Sequence, residues 1–233
     1  MKNIKFILLP LIVSSQLFAI DGFGAYGNFD LLKYPSGSSG DIASYGVEYQ
    51  GFDNASGLGI LFYIDACPVV DLEVDIEFIG NTYKYTPYLA GSALESQELA
   101  WGRVSQYYTI RKEIFGLSIP FLAKAELYGG LGFNAHKVMP IMTEDEVKKA
   151  FNSDNLEEAI NSFNSDPKSG AEDLGKSMWD NAESISGFHI QTGLRGKLLM
   201  LNVFVNARYT IAKDVIPDKS GYPSLWCGLA FGI

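Results

Sequence analysis

The sequence lacks a basic cluster and a second long apolar run, and it contains only two histidines and two cysteines. Beyond residue 19, no segment offers about 18 consecutive apolar residues, which argues against a helical membrane protein. The formal net charge is −9. An acidic chain without clustered lysine or arginine has no electrostatic footprint for nucleic acid, so nucleic-acid binding is not expected.

The first residues have the pattern of a secretory signal peptide. Lys2 and Lys5 form a short basic start, residues 6–13 are apolar apart from one proline, and small and apolar residues lead up to Ala19. The apolar run is shorter than the roughly 20 residues of a membrane-spanning helix. We therefore expect residues 1–19 to be cleaved. The whole chain has a charge of −9, and loss of both lysines would leave residues 20–233 with a charge of −11.

The clearest pattern in the remaining chain is a strict alternation of apolar and acidic residues. The apolar row is Val70, Leu72, Val74, Ile76 and Phe78, and the acidic row is Asp71, Glu73, Asp75 and Glu77. Successive side chains of a β-strand point to opposite faces, whereas a helix would scatter the four acids around its circumference. The segment is therefore predicted to be a strand with one apolar and one polar face.

The same alternation recurs along the chain and predicts eight strands. They lie near residues 22–32, 57–65, 69–79, 103–114, 121–131, 188–195, 201–211 and 225–233. Further charged or titratable residues on the polar rows are Arg103, Arg111, Glu113, Lys124, Glu126, His189, Arg195 and Arg208. An even number of antiparallel strands is typical of a closed bacterial barrel.

Short and long connections alternate between these strands. The short ones are predicted at residues 65–68, 116–118 and 196–198, and the long ones at 35–56, 83–100, an insertion near 143–183, and 213–221. Short turns on the periplasmic side and long loops outside are typical of outer-membrane barrels. The connections therefore give a second, independent indication of that architecture.

The signal peptide, the alternation and the last strand together resemble the eight-stranded outer-membrane barrels of the OmpA/OmpX-like and "outer membrane protein beta-barrel" families. The resemblance covers nearly all of residues 21–233 apart from the insertion. It implies an all-β, antiparallel, up-and-down transmembrane barrel in the cell outer membrane. It also implies that assembly machinery reads the strand from Leu225 onward. Such barrels usually end in an aromatic residue, whereas this chain ends Phe231-Gly232-Ile233.

The alternation alone is compatible with two kinds of barrel, a soluble one and a transmembrane one. A soluble, lipocalin-like barrel would turn the apolar rows inward around a ligand cavity. Charges of both signs on the polar rows, with an acidic third strand beside a basic fourth, favour a lumen of paired charges and an apolar wall facing lipid. Tyr83, Tyr85, Tyr88 and Tyr107 are expected to form an aromatic girdle at the outer interface.

The insertion at 143–183 is predicted to be helical. Thr143 and Glu146 have the spacing of a capping box, and apolar residues at helical spacing follow near 155–163 and 171–182. Eleven acids against four lysines give the insertion a charge of −7. It is expected to be an external loop that packs on the barrel rim. The alternative is a lid, plug or partner-binding element suited to cations or to the divalent-rich lipopolysaccharide surface.

The sequence offers little for catalysis or cofactor binding. Ser105 with His136 or His189 is the conceivable nucleophile and base, but no motif supports it. Acids at every second residue of one strand spread over some 20 Å and cannot converge on a metal ion, so no metal or cofactor is expected. A disulfide between Cys67 and Cys227 is not expected either, because a strand would separate them.

The expected function is that of a non-enzymatic outer-membrane component. It has either a structural or cell-surface role, or it lets small solutes permeate through a narrow, charge-filled lumen. Outer-membrane lipids, lipopolysaccharide and the barrel-assembly machinery are the expected partners. A small-ligand-binding barrel, either lipocalin-like and periplasmic or opening toward lipid, is the second hypothesis, and an outer-membrane lipid-modifying enzyme is the third. The sequence alone names no substrate.

Overall fold

A computed structural model describes residues 22–64, 70–120 and 122–232. The expected signal peptide at residues 1–19, the expected turn residue Cys67 and the terminal Ile233 lie outside this part of the chain. Within it, Cys227 is an exposed free thiol.

In the described part of the chain, eleven strands form one antiparallel sheet, and eight of them close into a ring. The ring strands are β1 (Gly22–Tyr34), β4 (Phe52–Ile64), β5 (Asp71–Leu89), β7 (Gln97–Ile119), β8 (Ala123–Val138), β9 (Glu183–Leu198), β10 (Leu201–Ile211) and β11 (Gly221–Gly232). Each pairs with the next ring strand in sequence, and β1 pairs with β11. The sheet therefore has no open edge around the ring.

The register of the ring fixes its tilt. Following paired residues once around the barrel from Ile119 leads back to Tyr108 on the same strand. One of the eleven residues of offset is the extra residue of a β-bulge between Glu113 and Phe115, so the shear is ten. With about 3.3 Å per residue and about 4.7 Å between strands, this shear tilts the strands by about 40°.

The two faces of the ring differ sharply in polarity. On β5, Leu72 and Phe78 are 40% and 61% exposed, and Val70, Val74 and Ile76 are half-buried on the same outward side. Their neighbours Glu73, Asp75 and Glu77 point inward and are fully buried. The apolar belt continues on every ring strand. On β10 it runs from Leu201 to Ile211, about 25 Å along the barrel axis at this tilt.

The strands extend well beyond the ring at the end that carries the long connections. Here β2 (Gly37–Asp41) and β3 (Tyr45–Tyr49) form a hairpin on the upper part of β5, and β6 (Ser92–Ala93) also pairs with β5. Residues 83–89 and 97–100, expected to be loop, therefore belong to β5 and β7. Pairing of β5 with β3 and with β7 satisfies the backbone hydrogen-bonding groups of these residues. The apolar–polar pattern of the sequence does not reveal this pairing.

Three helices lie between β8 and β9: α1 (Glu144–Ala150), α2 (Leu156–Ser165) and α3 (Pro167–Asp180). Thr143 caps α1 by accepting a hydrogen bond from the Glu146 backbone at 3.3 Å. The third helix begins four residues earlier than expected, because Asp166 is its N-cap and Pro167 occupies its first turn. In the described part of the chain, no helix is both long and apolar enough to span a membrane.

The opposite end of the barrel carries the short turns. The turns expected at 116–118 and 196–198 lie within strands instead, since β7 continues to Ile119 and β9 to Leu198. Leu199 and Met200 form the β9–β10 turn, and Leu199 adopts a left-handed φ of 56°. That conformation usually favours glycine or asparagine, which explains why an apolar sequence concealed the turn.

Candidate functional site

The barrel lumen is filled by a buried network of ion pairs. The carboxylates that take part are Asp30, Glu73, Asp75, Glu77 and Glu126, and their partners are Arg103, Arg111, Arg195, Arg208 and Lys124. Except for Lys124, all of these residues are at most 5% exposed. Charges buried in this way are stable only when paired, so removal of one partner is costly.

Arg103 occupies the centre of the network toward the long-loop end. Its Nη2 atom lies 2.8 Å from both Asp30 Oδ2 and Glu77 Oε1, and its Nη1 donates to the Tyr222 hydroxyl. Asn28 adds a hydrogen bond of 3.1 Å to Glu77. One guanidinium thus bridges strands β1, β5, β7 and β11 across the lumen.

Arg208 forms a second bridge across the lumen, nearer to the short-turn end. It pairs with Asp75 and lies 3.6 Å from Glu77, and its guanidinium carbon is 3.8 Å from the centre of the Tyr107 ring. Its Nε donates to Gln191, which in turn donates to Glu73 at 2.7 Å. The network is therefore continuous from β10 to β5.

Aromatic side chains enclose the remaining arginines toward the short-turn end. Arg111 pairs with Glu73 at 2.9 Å and lies 5.0 Å from the Tyr63 ring centre. The guanidinium carbon of Arg195 lies 4.6 Å from the centre of the same Tyr63 ring and 5.4 Å from the centre of the Phe204 ring. Cation–π contacts of this kind strengthen when water is excluded. Phe204, which interrupts the polar row of its strand in the sequence, is fully buried here between charges.

Glu113, Lys124 and Asp71 differ from the other predicted lumen residues. Glu113 and Lys124 pair at 2.7 Å, but their side chains are 41% and 36% exposed, so the expectation that they lie inside the filled lumen is wrong. They lie where the barrel ends, because β7 and β8 form a hairpin that continues past the ring. Asp71 is half-buried at the same end, in register with Arg111.

The candidate nucleophile, Ser105, belongs to a buried chain of hydrogen bonds. Ser105 Oγ lies 2.8 Å from His136 Nδ1, and His136 Nε2 lies 3.0 Å from Asn134 Oδ1. His189 contacts Thr109 at 2.9 Å. Each of these residues is at most 3% exposed. The arrangement resembles a serine–histidine pair with an orienting third group, and it is enclosed within the barrel.

The helical insertion covers the long-loop mouth of the barrel. Its buried residues belong to one cluster with Met142 and with aromatic side chains of the upper ring strands. The insertion contributes Val147, Ile160, Leu174 and Met178, and the ring strands contribute Tyr34, Phe52, Tyr83, Tyr85 and Trp101. Burying one such side chain fully contributes roughly 1.5–3 kcal/mol. The insertion is therefore an integral cap and part of the core.

Polar contacts fix the position of the cap. Met142 donates its backbone N–H to the Tyr83 hydroxyl at 3.0 Å, and Glu144 donates its backbone N–H to Ser39 Oγ at 3.0 Å. A hydrogen bond with Glu157 of α2 raises the pKa of Tyr45 on β3. The outer surface of the cap carries most of its acidic residues, so the capped end is strongly negative.

The expected tyrosine girdle is wrong for three of its four members. Tyr83, Tyr85 and Tyr107 are at most 3% exposed and point inward. Tyr88 is partly exposed on the sheet extension and donates to Glu48 at 2.9 Å. Tyrosines near a strand end can serve either face, and only the register decides which face each one occupies.

Asp30 and Trp101 are central residues that the sequence pattern did not single out. Asp30 lies between Phe29 and Leu31, which are 42% and 43% exposed, so period-two alternation in β1 could have placed it inward. Nothing in the pattern marks Trp101, because it lies between the predicted loop at 83–100 and the predicted strand at 103–114. Among the described residues, no group of three or more metal-ligating side chains converges on one point.

No model of a known protein family matches the sequence, and no curated protein matches it. Solved structures that resemble it are outer-membrane β-barrel proteins. OprG from Pseudomonas aeruginosa is 10% identical over 91% of this chain and 96% of its own, with a TM-score of 0.46. The amino-terminal barrel domain of Pseudomonas aeruginosa OprF (10%; 91% and 98%; TM-score 0.39) and Neisserial surface protein A (10%; 91% and 97%; TM-score 0.41) are further examples.

Proposed function

We propose that this protein is a closed, non-enzymatic β-barrel of the bacterial outer membrane that acts at the cell surface through its acidic helical cap. The observation that carries the proposal is the combination of an outward apolar belt about 25 Å tall with a lumen that is filled below and capped above. An apolar band of about that height is what a transmembrane barrel presents to lipid. Because the lumen is filled, solute permeation is less well supported than a structural or cell-surface role.

The distribution of charge supports a membrane location over a soluble ligand-binding barrel. A lipocalin-like barrel would bury its apolar rows around a cavity and expose its charges. Here all four arginines of the sequence, Arg103, Arg111, Arg195 and Arg208, are buried inside, while the outward rows of the ring are mainly apolar. In water, an apolar wall of this extent would drive association.

Lysines border the belt at the long-loop end. Lys33, Lys137 and Lys213 each follow the last outward apolar residues of their strands. Lys137 lies 4.8 Å from the ring centre of Trp179, which is 38% exposed on α3. Lysines and tryptophan at this level suit phosphate-bearing headgroups, including lipopolysaccharide, in the outer leaflet.

The last strand supports the proposed contact with the assembly machinery. Leu225, Leu229 and Phe231 face outward on β11 and are 50–58% exposed. A catalytic role has less support, because Ser105 is enclosed. The lipid-modifying enzyme is therefore the least favoured of the three hypotheses.

Replacing Ile76 by arginine is expected to impair assembly, while Ile76→Leu should not. Ile76 lies on the outward row near the middle of the belt, where a charge facing lipid costs roughly 2–4 kcal/mol. Heat-dependent gel mobility of outer-membrane fractions gives the yield of folded barrel. Equal yields of the two variants would place Ile76 away from lipid.

The purified barrel is expected to show no stepwise conductance in planar bilayers. Buried side chains such as Trp101, Arg103 and Tyr107 occupy its cross-section, and eight strands enclose only enough space for side chains. Current traces at both polarities, with a general porin as positive control, provide the measurement. Reproducible unitary openings would overturn the closed-barrel proposal and restore permeation as the leading function.

A further inference from the structure

The short-turn end of the barrel carries an exposed apolar surface that the lumen and cap do not explain. It is formed by the β7–β8 hairpin and the β9–β10 turn. We define this short-turn shelf as Phe115, Leu117, Ile119, Leu122, Leu199 and Met200, each of which is 50–66% exposed. Turns that meet water are normally polar. Six large apolar side chains at the tips therefore indicate that something apolar covers them.

The shelf is continuous with the apolar belt. Phe115 is paired with the outward Leu127, and Leu198, next to Leu199, continues the outward row of Leu194 on β9. Without the bulge residue between Glu113 and Phe115, six residues separate Ile119 from the outward-facing Lys112, or about 15 Å at about 2.5 Å of axial rise per residue. The shelf therefore extends the lipid-facing wall on one side of the barrel.

A groove of about 480 Å³ opens within the shelf. Ile119, Leu122, Leu199 and Met200 line it together with Lys124 and Lys197. Its volume lies in the range of about 300–1,000 Å³ that is typical of small-ligand clefts. The groove thus combines apolar walls with two primary amines.

The two lysines are directly opposite each other on β8 and β9. Lys124 is neutralised by Glu113 and Glu126. Lys197 has no carboxylate within ion-pair distance among the described residues, and Arg195, two residues earlier, already pairs with Glu126. Because Lys124 and Arg195 already share the nearby carboxylates, Lys197 leaves one positive charge in the groove that a bound anion would balance.

We propose that this groove binds the headgroup of an anionic phospholipid of the inner leaflet, with its phosphate at Lys197 and its acyl chains along Leu199, Met200 and the adjoining belt. The inference rests on the membrane location proposed above. A lipid matches both the apolar and the cationic part of the groove, since its chains cover the apolar wall and its phosphate supplies a counter-charge for Lys197. A lysine near the headgroup level attracts anionic lipid by an amount that corresponds to about a fivefold change in affinity.

Native mass spectrometry of the folded protein, titrated with phosphatidylglycerol or with phosphatidylcholine of the same chains, tests the proposal. The wild-type protein is expected to retain phosphatidylglycerol in preference to phosphatidylcholine. Lys197→Gln should lower that preference about fivefold. Lys176→Gln, which removes an exposed lysine from the cap, is the matched control and should leave it unchanged.

Each other outcome has a distinct meaning. Equal retention of the two lipids, or an unchanged preference in Lys197→Gln, overturns this site while the membrane proposal stands. A dimeric mass as the main species, unaffected by lipid, would assign the shelf to a second copy of the chain and also overturn the site. Failure of the wild-type protein to insert into vesicles of either lipid would instead refute the membrane location itself.

Discussion

Arg103→Met is expected to lower the free energy of unfolding by about 3–5 kcal/mol. The change leaves Asp30 and Glu77 buried without their shared cation, and both carboxylates lie 2.8 Å from the guanidinium in the native protein. Methionine approximates the volume of the arginine stem, so the loss reports on charge more than on packing.

Urea titration in lipid vesicles, read out by heat-dependent gel mobility, measures this loss. Lys176→Met provides the control, because it removes an exposed charge from the cap and should change stability by less than about 0.5 kcal/mol. Combining Arg103→Met with Asp30→Asn and Glu77→Gln should recover much of the loss, since neutral amides need no counter-charge. If Arg103→Met unfolds at the wild-type urea concentration, the network is hydrated and contributes little to stability.

Period-two alternation was a sound guide to the lumen because it encodes which face a side chain occupies. It placed Glu73, Asp75 and Glu77 on the polar face, and the structure brings them together with Arg103 and Arg208. Which acid meets which arginine depends on register and shear, and neither is written in a single strand. Arg103, for example, reaches Asp30 across the barrel from a strand that is not its neighbour.

Alternation says much less about where a strand ends along the barrel axis. The expected loop at 83–100 and turn at 116–118 both proved to lie largely within strands, because edge pairing and a projecting hairpin extend β5 and β7 past the ring. The wrong prediction of a tyrosine girdle has the same cause. A girdle requires both the correct face and the correct height, and the sequence pattern offered no measure of height.

The capping box and the helical spacing anticipated the cap, but its depth of attachment could not be foreseen. Rim packing and plugging were separate hypotheses for the insertion. The helices satisfy both, since Met178 and Leu174 belong to one buried cluster with Trp101 and Tyr83 in the barrel mouth. Aromatic residues near the mouth do not reveal their partners until the chain has folded back over them.

Met178→Asp is expected to detach the cap while leaving the barrel folded. Met178 is fully buried on α3, and an unpaired carboxylate there loses the packing of the methionine and incurs a desolvation cost, together about 4 kcal/mol or more. Because each 1.4 kcal/mol is a factor of ten, the open cap should become roughly 1,000-fold more populated. The ring has its own ion-pair network and continuous hydrogen bonding, so it does not depend on the cap to stay closed.

Limited digestion of folded protein in vesicles with a broad-specificity protease detects the detached cap. The variant should be cleaved within residues 143–183 at least tenfold faster than wild type, and the barrel fragment should keep its heat-dependent mobility. Lys176→Asp introduces the same carboxylate on the exposed side of α3 and should be cleaved at the wild-type rate. Protection of Met178→Asp equal to wild type would show that the insertion is not held by its apolar face. In that case the surface role proposed for the cap could not rest on a rigid, fixed presentation of its acidic residues.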